Sequence, residues 1–489
     1  MQLPRKTGGE PVSGFRTTSS TLMQTNSRAK TYAVVGVGGR SKFYTHAILK
    51  EHAATTRLVA ICDINPIALE LAMEDLGNLG ANITAWHADE FDTMIATHRP
   101  DVVLVTSKDC THDHYICRAM ELGCDVITEK PMTIDAARCR RIIDTRRRTG
   151  RRCRVAFNYR YMPRSTRIKE LLMEGAIGAI TSVVFTYNLG LIHGPSYFNR
   201  WHAEMEQSGG LLVHKATHHF DLVNFWIGEN PRSVFACGKR NYFTPAMAAR
   251  MGLRNCGPRC SGCLEATLCP FYSNIRAKNP APPGQRLAGD FDPHYYNDLC
   301  VFREAVNIPD TMHALVGYES GAMVNYNLVT FGDKEYMNIT FHGTLGRLEA
   351  RGETPFRIYP HNGPMYEVPV ANAVGGHGGA DPVLLEDLFG AAPPFDPCRR
   401  AADERAGAMS ILIGIAANHS IATGRQMLID DLVPGLDTPD HTVMPRITDD
   451  IEIAPVSAWI ARRRHEADER RRKARLTQAD SFTAPATLA

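Results

Sequence analysis

No uninterrupted apolar run in the 489 residues reaches the roughly 20 positions that a membrane-spanning helix needs. Nor is there a charge of one sign to attract a polyanion: 55 Lys and Arg against 52 Asp and Glu leave a formal +3, which gives no electrostatic case for nucleic acid. The densest basic run, Arg146 to Arg148 with Arg151, Arg152 and Arg154, falls where a helix ends, and cations there offset the macrodipole. Internal repeats are missing as well, and so is a disulfide framework. The thirteen cysteines are odd in number and mostly scattered, which points to a reducing, cytoplasmic compartment.

What remains is a soluble globular composition, 44% hydrophobic and 22% charged, long enough for two or three domains. Residues 1–30 are rich in Ser, Thr, Gly and Pro and read as a disordered leader, with a mitochondrial transit peptide as the alternative. Past about Ser457 the chain turns highly charged, which predicts a solvated helix and a frayed end within the extension 431–489.

The chain is organised around Ser208 to Gly228. Leu211, Leu212, Phe220, Leu222, Val223, Phe225 and Trp226 predict a mostly buried helix, yet its middle is polar. His214, His218 and Asp221 share one helical face, with Lys215 one step around. Buried polar groups are costly unless paired, so the patch predicts a pocket, against the plainer reading of satisfied core histidines.

Upstream, residues 31–155 alternate strand and helix patterns, which predicts a doubly wound parallel sheet. The first strand runs into Gly36, Gly38, Gly39, Arg40 and Ser41 and then a helix, a turn suited to a pyrophosphate against backbone N–H groups. The second strand ends on Asp63, whose carboxylate suits the adenosine ribose hydroxyls of NAD. Arg40 could instead recognise a 2′-phosphate, which keeps NADP open. Thr106, Ser107 and the nearby His112, with Glu129, Lys130 and Pro131, lie at strand carboxyl ends, the edge where ligands bind in such sheets.

Residues 156–430 read as an α+β domain on a largely antiparallel sheet. Tyr159 and Arg160 open it. Within an insertion at 238–297, Cys256, Cys260, Cys263 and Cys269 have spacing that can wrap a structural zinc, against free thiols or a local disulfide. A loop from Gly375 to Asp381 could bring His377 to the pocket or could be a plain turn.

Together the Gly36–Ser41 turn, the Glu129-Lys130-Pro131 tripeptide and the Gly209-Gly210 helix with His218 and Asp221 resemble the Gfo/Idh/MocA oxidoreductases over Thr31 to Asp430. The resemblance implies a Rossmann domain (an α/β fold), a C-terminal α+β domain, and NAD(P)-dependent dehydrogenation of sugars or polyols by a homodimer or homotetramer. It places Lys130 beside the nicotinamide and His218 near the reacting carbon. Where many members carry an aspartate, this chain has His214 followed by Lys215, which suggests an anionic substrate such as a uronic or sulfonated sugar.

The resulting expectation is hydride transfer between NAD and a secondary alcohol of a carbohydrate-like substrate. His218 acts as base, Lys130 stabilises the alkoxide and His214 relays the proton. Tyr159, Arg160, Lys215, Asp221 and His377 grip the substrate. Three other readings stay open: a redox glycosidase, a non-catalytic NAD or sugar sensor, and a catalytic metal on His214, His218 and Asp221.

Overall fold

A computed structural model describes residues 28–447, apart from 274–286, 288, 290, 292–296, 372–373 and 393, together with 463–471. The expected leader, through residue 27, lies outside the described residues, as does much of the charged extension; 463–471 is helical and largely exposed.

Six strands alternate with helices in the first half. They are β1 (Lys30–Val35), β2 (Thr56–Asp63), β3 (Thr84–His87), β4 (Val102–Val105), β5 (Asp125–Thr128) and β6 (Cys153–Val155). All pair in parallel in the order β3-β2-β1-β4-β5-β6. Val34, Ile61, Val103 and Leu104 are buried in this sheet, as a parallel sheet covered on both faces requires. The order reverses at β1, so the loops after β1 and β4 diverge and leave a crevice between them.

The second half supplies a nine-stranded sheet. Its strands are β7 (Ile180–Gly190), β8 (Pro231–Lys239), β9 (Thr311–Tyr318), β10 (Met323–Gly332), β11 (Tyr336–Gly343), β12 (Gly346–Arg351), β13 (Phe356–Pro360), β14 (Tyr366–Val368) and β15 (Met427–Leu428). The order is β14-β13-β12-β11-β7-β10-β9-β8-β15, and only β7 and β10 run parallel. Alternate residues of β9 and β10, such as Ala314, Val316, Val324 and Tyr326, are buried on one face, and the helices of this half cover that face.

The helix Glu404–Thr423, whose apolar run polar residues interrupt, is by length and mean hydropathy able to cross a membrane, but 72% of its apolar stretch is buried inside the protein. It packs on β8 and on the helix Thr217–Ile227. Gly414 permits that closeness, since a Cβ there would lie 2.2 Å from the Leu212 carbonyl oxygen. The core helix therefore fixes the height of the histidine segment.

That segment is not the single helix its periodicity predicts. Leu211–His214 and Thr217–Ile227 are separate helices. The Leu211 carbonyl accepts both the Lys215 N–H at 3.1 Å and the Ala216 N–H at 2.8 Å, the second an i→i−5 bond that widens the turn. Widening brings His214, Lys215 and His218 onto one cavity wall.

Candidate active site

The crevice above β1 and β4 opens into a cavity of about 1040 Å³ that reaches the histidine segment and the nine-stranded sheet. At its cofactor-facing end the chain leaves β1 through Gly36, at φ +88°. A Cβ there would sit 2.5 Å from the Ser107 backbone nitrogen, so only glycine lets the two loops touch. Nothing lies within 4 Å of a Cβ built on Gly38 or Gly39, which leaves that backbone open to a ligand. The helix Ser41–Leu49 begins there with no side-chain cap; the Ser41 and Phe43 N–H groups bond the Gly38 and Arg40 carbonyls at 3.1 and 3.3 Å.

Asp63 accepts the Val37 N–H at 2.7 Å through one oxygen and the Asn65 N–H at 2.8 Å through the other. Burial pushes its carboxyl up, and those N–H groups oppose the shift. Arg40 turns inward: its Nε–H meets Glu129 at 2.5 Å, and Tyr44 donates to the same oxygen at 2.6 Å. Burial works on Glu129 in the opposite sense, but Arg40 and Lys130 hold its carboxyl below the usual range. His112 ties the two loops together, with its ring nitrogens against the Pro131 and Ser107 carbonyls at 2.8 and 3.0 Å.

At the other end Lys130, after which the peptide bond to Pro131 is cis, points its Nζ at the His214 carbonyl at 3.4 Å. Burial lowers its pKa to about 8 against the attraction of Asp109 and Glu129. His214 Nδ1 meets Asp109 Oδ2 at 2.5 Å. Burial raises the Asp109 pKa and depresses that of His214, so the two hold their proton as a pair.

His218 lies flat against the Tyr159 ring, 4.0 Å between centroids, and its Nδ1 is buried without a partner. Burial, and then the charges of Lys130 and Lys215, keep it neutral well below the ordinary histidine range. Lys215 donates to the Tyr159 hydroxyl at 3.4 Å. Burial works against its charge, but Tyr159, Tyr197, Tyr187 and Glu335 outweigh that and hold its pKa up. His377, left-handed at φ 47°, reaches the same wall with Nδ1 on Asp381 at 2.8 Å.

Three expected positions are placed elsewhere. Ser41 turns its hydroxyl to the Gly38 carbonyl at 2.7 Å and does not line this cavity. Arg160 and Asp221 do not line it either; they form a buried two-point ion pair at 2.7 and 2.6 Å that consumes both charges. With Asp221 spent, a metal on His214, His218 and Asp221 loses a ligand. Among the described residues no three Cys, His, Asp or Glu side chains stand at metal-binding geometry. Cys256, Cys260, Cys263 and Cys269 are free thiols around a small separate cavity.

Sequence reading missed Asp109, two residues past the Ser107 it singled out. It also missed the wall formed by His193, Tyr197, Arg200, Trp201, His202 and Glu335. The short 3₁₀ turns Gly194–Tyr197 and Trp201–Ala203 have no amphipathic period to expose them. The one available signal was the density of His, Arg and aromatic residues between His193 and His202.

A glycine turn under a parallel sheet's switch point, opening to Lys130 and His218, defines an NAD(P)-dependent oxidoreductase acting on CH–OH groups. Residues 30–157 match the model of the oxidoreductase family's NAD-binding Rossmann fold, and residues 169–429 match that of its C-terminal alpha/beta domain. The chain belongs to the Gfo/Idh/MocA oxidoreductase family. It is 34% identical over 422 residues to YteT of Bacillus subtilis (strain 168), an oxidoreductase by its name, covering 82% of this chain and 98% of that protein. An inositol 2-dehydrogenase/D-chiro-inositol 3-dehydrogenase of Lactiplantibacillus plantarum is 24% identical over 202 residues, covering 41% of this chain and 53% of its own length. The crystal structure of an oxidoreductase domain protein from Kribbella flavida shares the fold, with a TM-score of 0.59 at 16% identity over 82% of this chain and 99% of its own.

Proposed function

We propose that this chain uses NAD to oxidise a secondary alcohol on an acidic sugar or polyol derivative, reversibly. His218 takes the hydroxyl proton, Lys130 stabilises the alkoxide, and the hydride passes to the nicotinamide. The His214–Asp109 pair passes the proton onward. One observation carries the reading: a neutral, unpaired His218 shares a cavity with Lys130 at the end of the dinucleotide crevice.

Two features support NAD over NADP. Asp63 would repel a 2′-phosphate, and Arg40 is engaged with Glu129 rather than free to greet one. Support for an anionic substituent comes from Arg200 and Lys215. Arg200 donates Nε–H to the Ser196 carbonyl at 2.8 Å, and neither cation has a carboxylate within salt-bridge distance among the described residues. Val184, Phe235, Leu315 and Met323 stand exposed on the outer face of the large sheet, which supports a homodimer or homotetramer.

The test is NADH formation from NAD with matched neutral and acidic sugars and polyols. A charge-assisted contact is worth roughly 1.5–3 kcal/mol, so the acid should be preferred about tenfold to a hundredfold in kcat/KM, and Lys215→Met should erase most of that. Equal rates for the two members of each pair would overturn the anionic assignment. Release of an aglycone with no net NADH would replace the dehydrogenase with the glycosidase reading.

The pH dependence follows from the same groups. His218 must be neutral to accept a proton, and its pKa is depressed, so activity persists below the ordinary histidine value of 6.5. Lys130 must be charged, and its pKa is about 8, so kcat/KM for oxidation falls as pH rises through that value. A profile that climbs steadily above pH 8 would make Lys130 the base instead.

A further inference from the structure

Nothing in the hydride chemistry uses the cysteine-bearing excursion that follows β8. Cys256, Cys260, Cys263 and Cys269 are joined there by Cys300, which returns from its far side, and the five thiols line one cavity of about 10 Å³. That is room for a single atom-sized guest. Arg259 and Leu299 form a β-bridge across the neck, the Cys260 N–H donates to the Asp298 carbonyl at 2.6 Å, and the Cys300 N–H donates to the Pro258 carbonyl at 2.9 Å. The two ends of the excursion are thereby locked together beside the thiols.

The donors around the sulfurs are informative. Cys256 and Cys300 hydrogen-bond through their side chains. The backbone N–H groups of Ser273, Phe271 and Phe302 are aimed at the sulfurs of Cys260, Cys269 and Cys300 respectively. Burial pushes the Cys256, Cys260, Cys269 and Cys300 thiols up, and the three amides directed at sulfur oppose that rise, placing donors where metal-bound thiolates would accept. Cys260 and Cys263 have the two-residue spacing of a chelating pair. The sulfurs are not yet at ligand distance from one centre, but each moves on a single torsion.

We infer that Cys260, Cys269 and Cys300, with a fourth thiolate from Cys256 or Cys263, bind one tetrahedral zinc ion. Four thiolates leave no open position, so the ion is structural. It knots the excursion to the substrate wall. The Leu299 N–H donates to the Asn199 carbonyl at 3.0 Å, and Arg303 bonds both the Phe198 carbonyl and, at 3.1 Å, the Cys300 carbonyl. Phe198 stacks on Phe243 at 4.3 Å, and Phe243 in turn meets Phe271 and Phe302. Arg200 and Trp201 follow directly, so the knot sets where the substrate wall stands.

The test uses the full chain, made without a metal-affinity tag, reduced, loaded with Zn²⁺ and desalted before elemental analysis. Wild type and Cys237→Ser, a change at an exposed thiol outside the knot, should retain about one zinc per chain. Cys260→Ser and Cys300→Ser should lose it. Should those variants not fold, alkylation of wild type serves: the knot thiols stay protected until a chelator is added, while Cys237 reacts throughout. Wild type that holds no zinc, or a Cys256–Cys300 disulfide in the unreduced chain, would overturn the site. Both readouts need no substrate, so their failure is separate from failure of the dehydrogenase reading.

Discussion

Lys130→Met will cut kcat by roughly a thousandfold and leave NAD affinity within about twofold. Methionine keeps the length and apolar stem of lysine and removes only the ammonium. That ammonium stands between the Glu129 end of the crevice and the His214 carbonyl, where an alkoxide forming near His218 would need a cation. The glycine turn and Asp63, which would hold the adenosine half, make no hydrogen bond to it. A second signature separates catalysis from packing. Lys130 is among the charges that depress His214 and His218, so its removal lets both pKa values rise. Residual activity should therefore fall away at a higher pH on the acid side. Fluorescence titration with NADH and a kcat profile against pH check both points. A variant within about tenfold of wild type would remove Lys130 from the chemistry.

The cofactor half was legible because its constraints are local. A strand, a glycine turn and a helix N-terminus follow one another in sequence, and the Asp63 carboxylate arrives at the next strand's end, so short-range patterns carry most of the geometry. β9 shows the same directness: Met312, Ala314, Val316 and Tyr318 alternate with more exposed neighbours along Thr311–Tyr318, as a sheet with one covered face requires. The substrate half depends on long-range meetings. Asp109 finds His214 across 105 residues, and Glu335 finds Tyr187 across 148. No periodicity announces such pairs. The histidine segment misled for a related reason: a regular helix puts His214, His218 and Asp221 on one face, but the widened turn at Lys215 keeps only the two histidines on the cavity wall, while Asp221 pairs with Arg160. Strands β12 to β14 are short, and Pro360 and Gly363 interrupt their stretch, so they gave little alternation to read. The excursion cysteines announced themselves by spacing. Cys300 did not, because the chain brings it back from a distance.

Asp221→Ala will destabilise the fold by about 3–5 kcal/mol. Arg160 and Asp221 are both buried, and each carboxylate oxygen takes one guanidinium N–H. Arg160 also lies 5.1 Å over the Phe225 ring and 5.9 Å from that of Phe157, and its one further hydrogen bond among the described residues is a long one to the Arg400 carbonyl at 3.5 Å, so Asp221 is its only direct carboxylate partner there. Deleting the carboxylate leaves that charge uncompensated in a low-dielectric interior, whereas removing both charges leaves only volume to refill. The double variant Arg160→Met/Asp221→Leu should therefore recover to within about 1 kcal/mol of wild type in chemical denaturation. The same pair decides between two roles. A structural pair predicts that the double variant keeps its KM. A substrate-binding role for either residue predicts a stable protein whose KM has risen about tenfold or more, since a charged hydrogen bond to substrate would be gone.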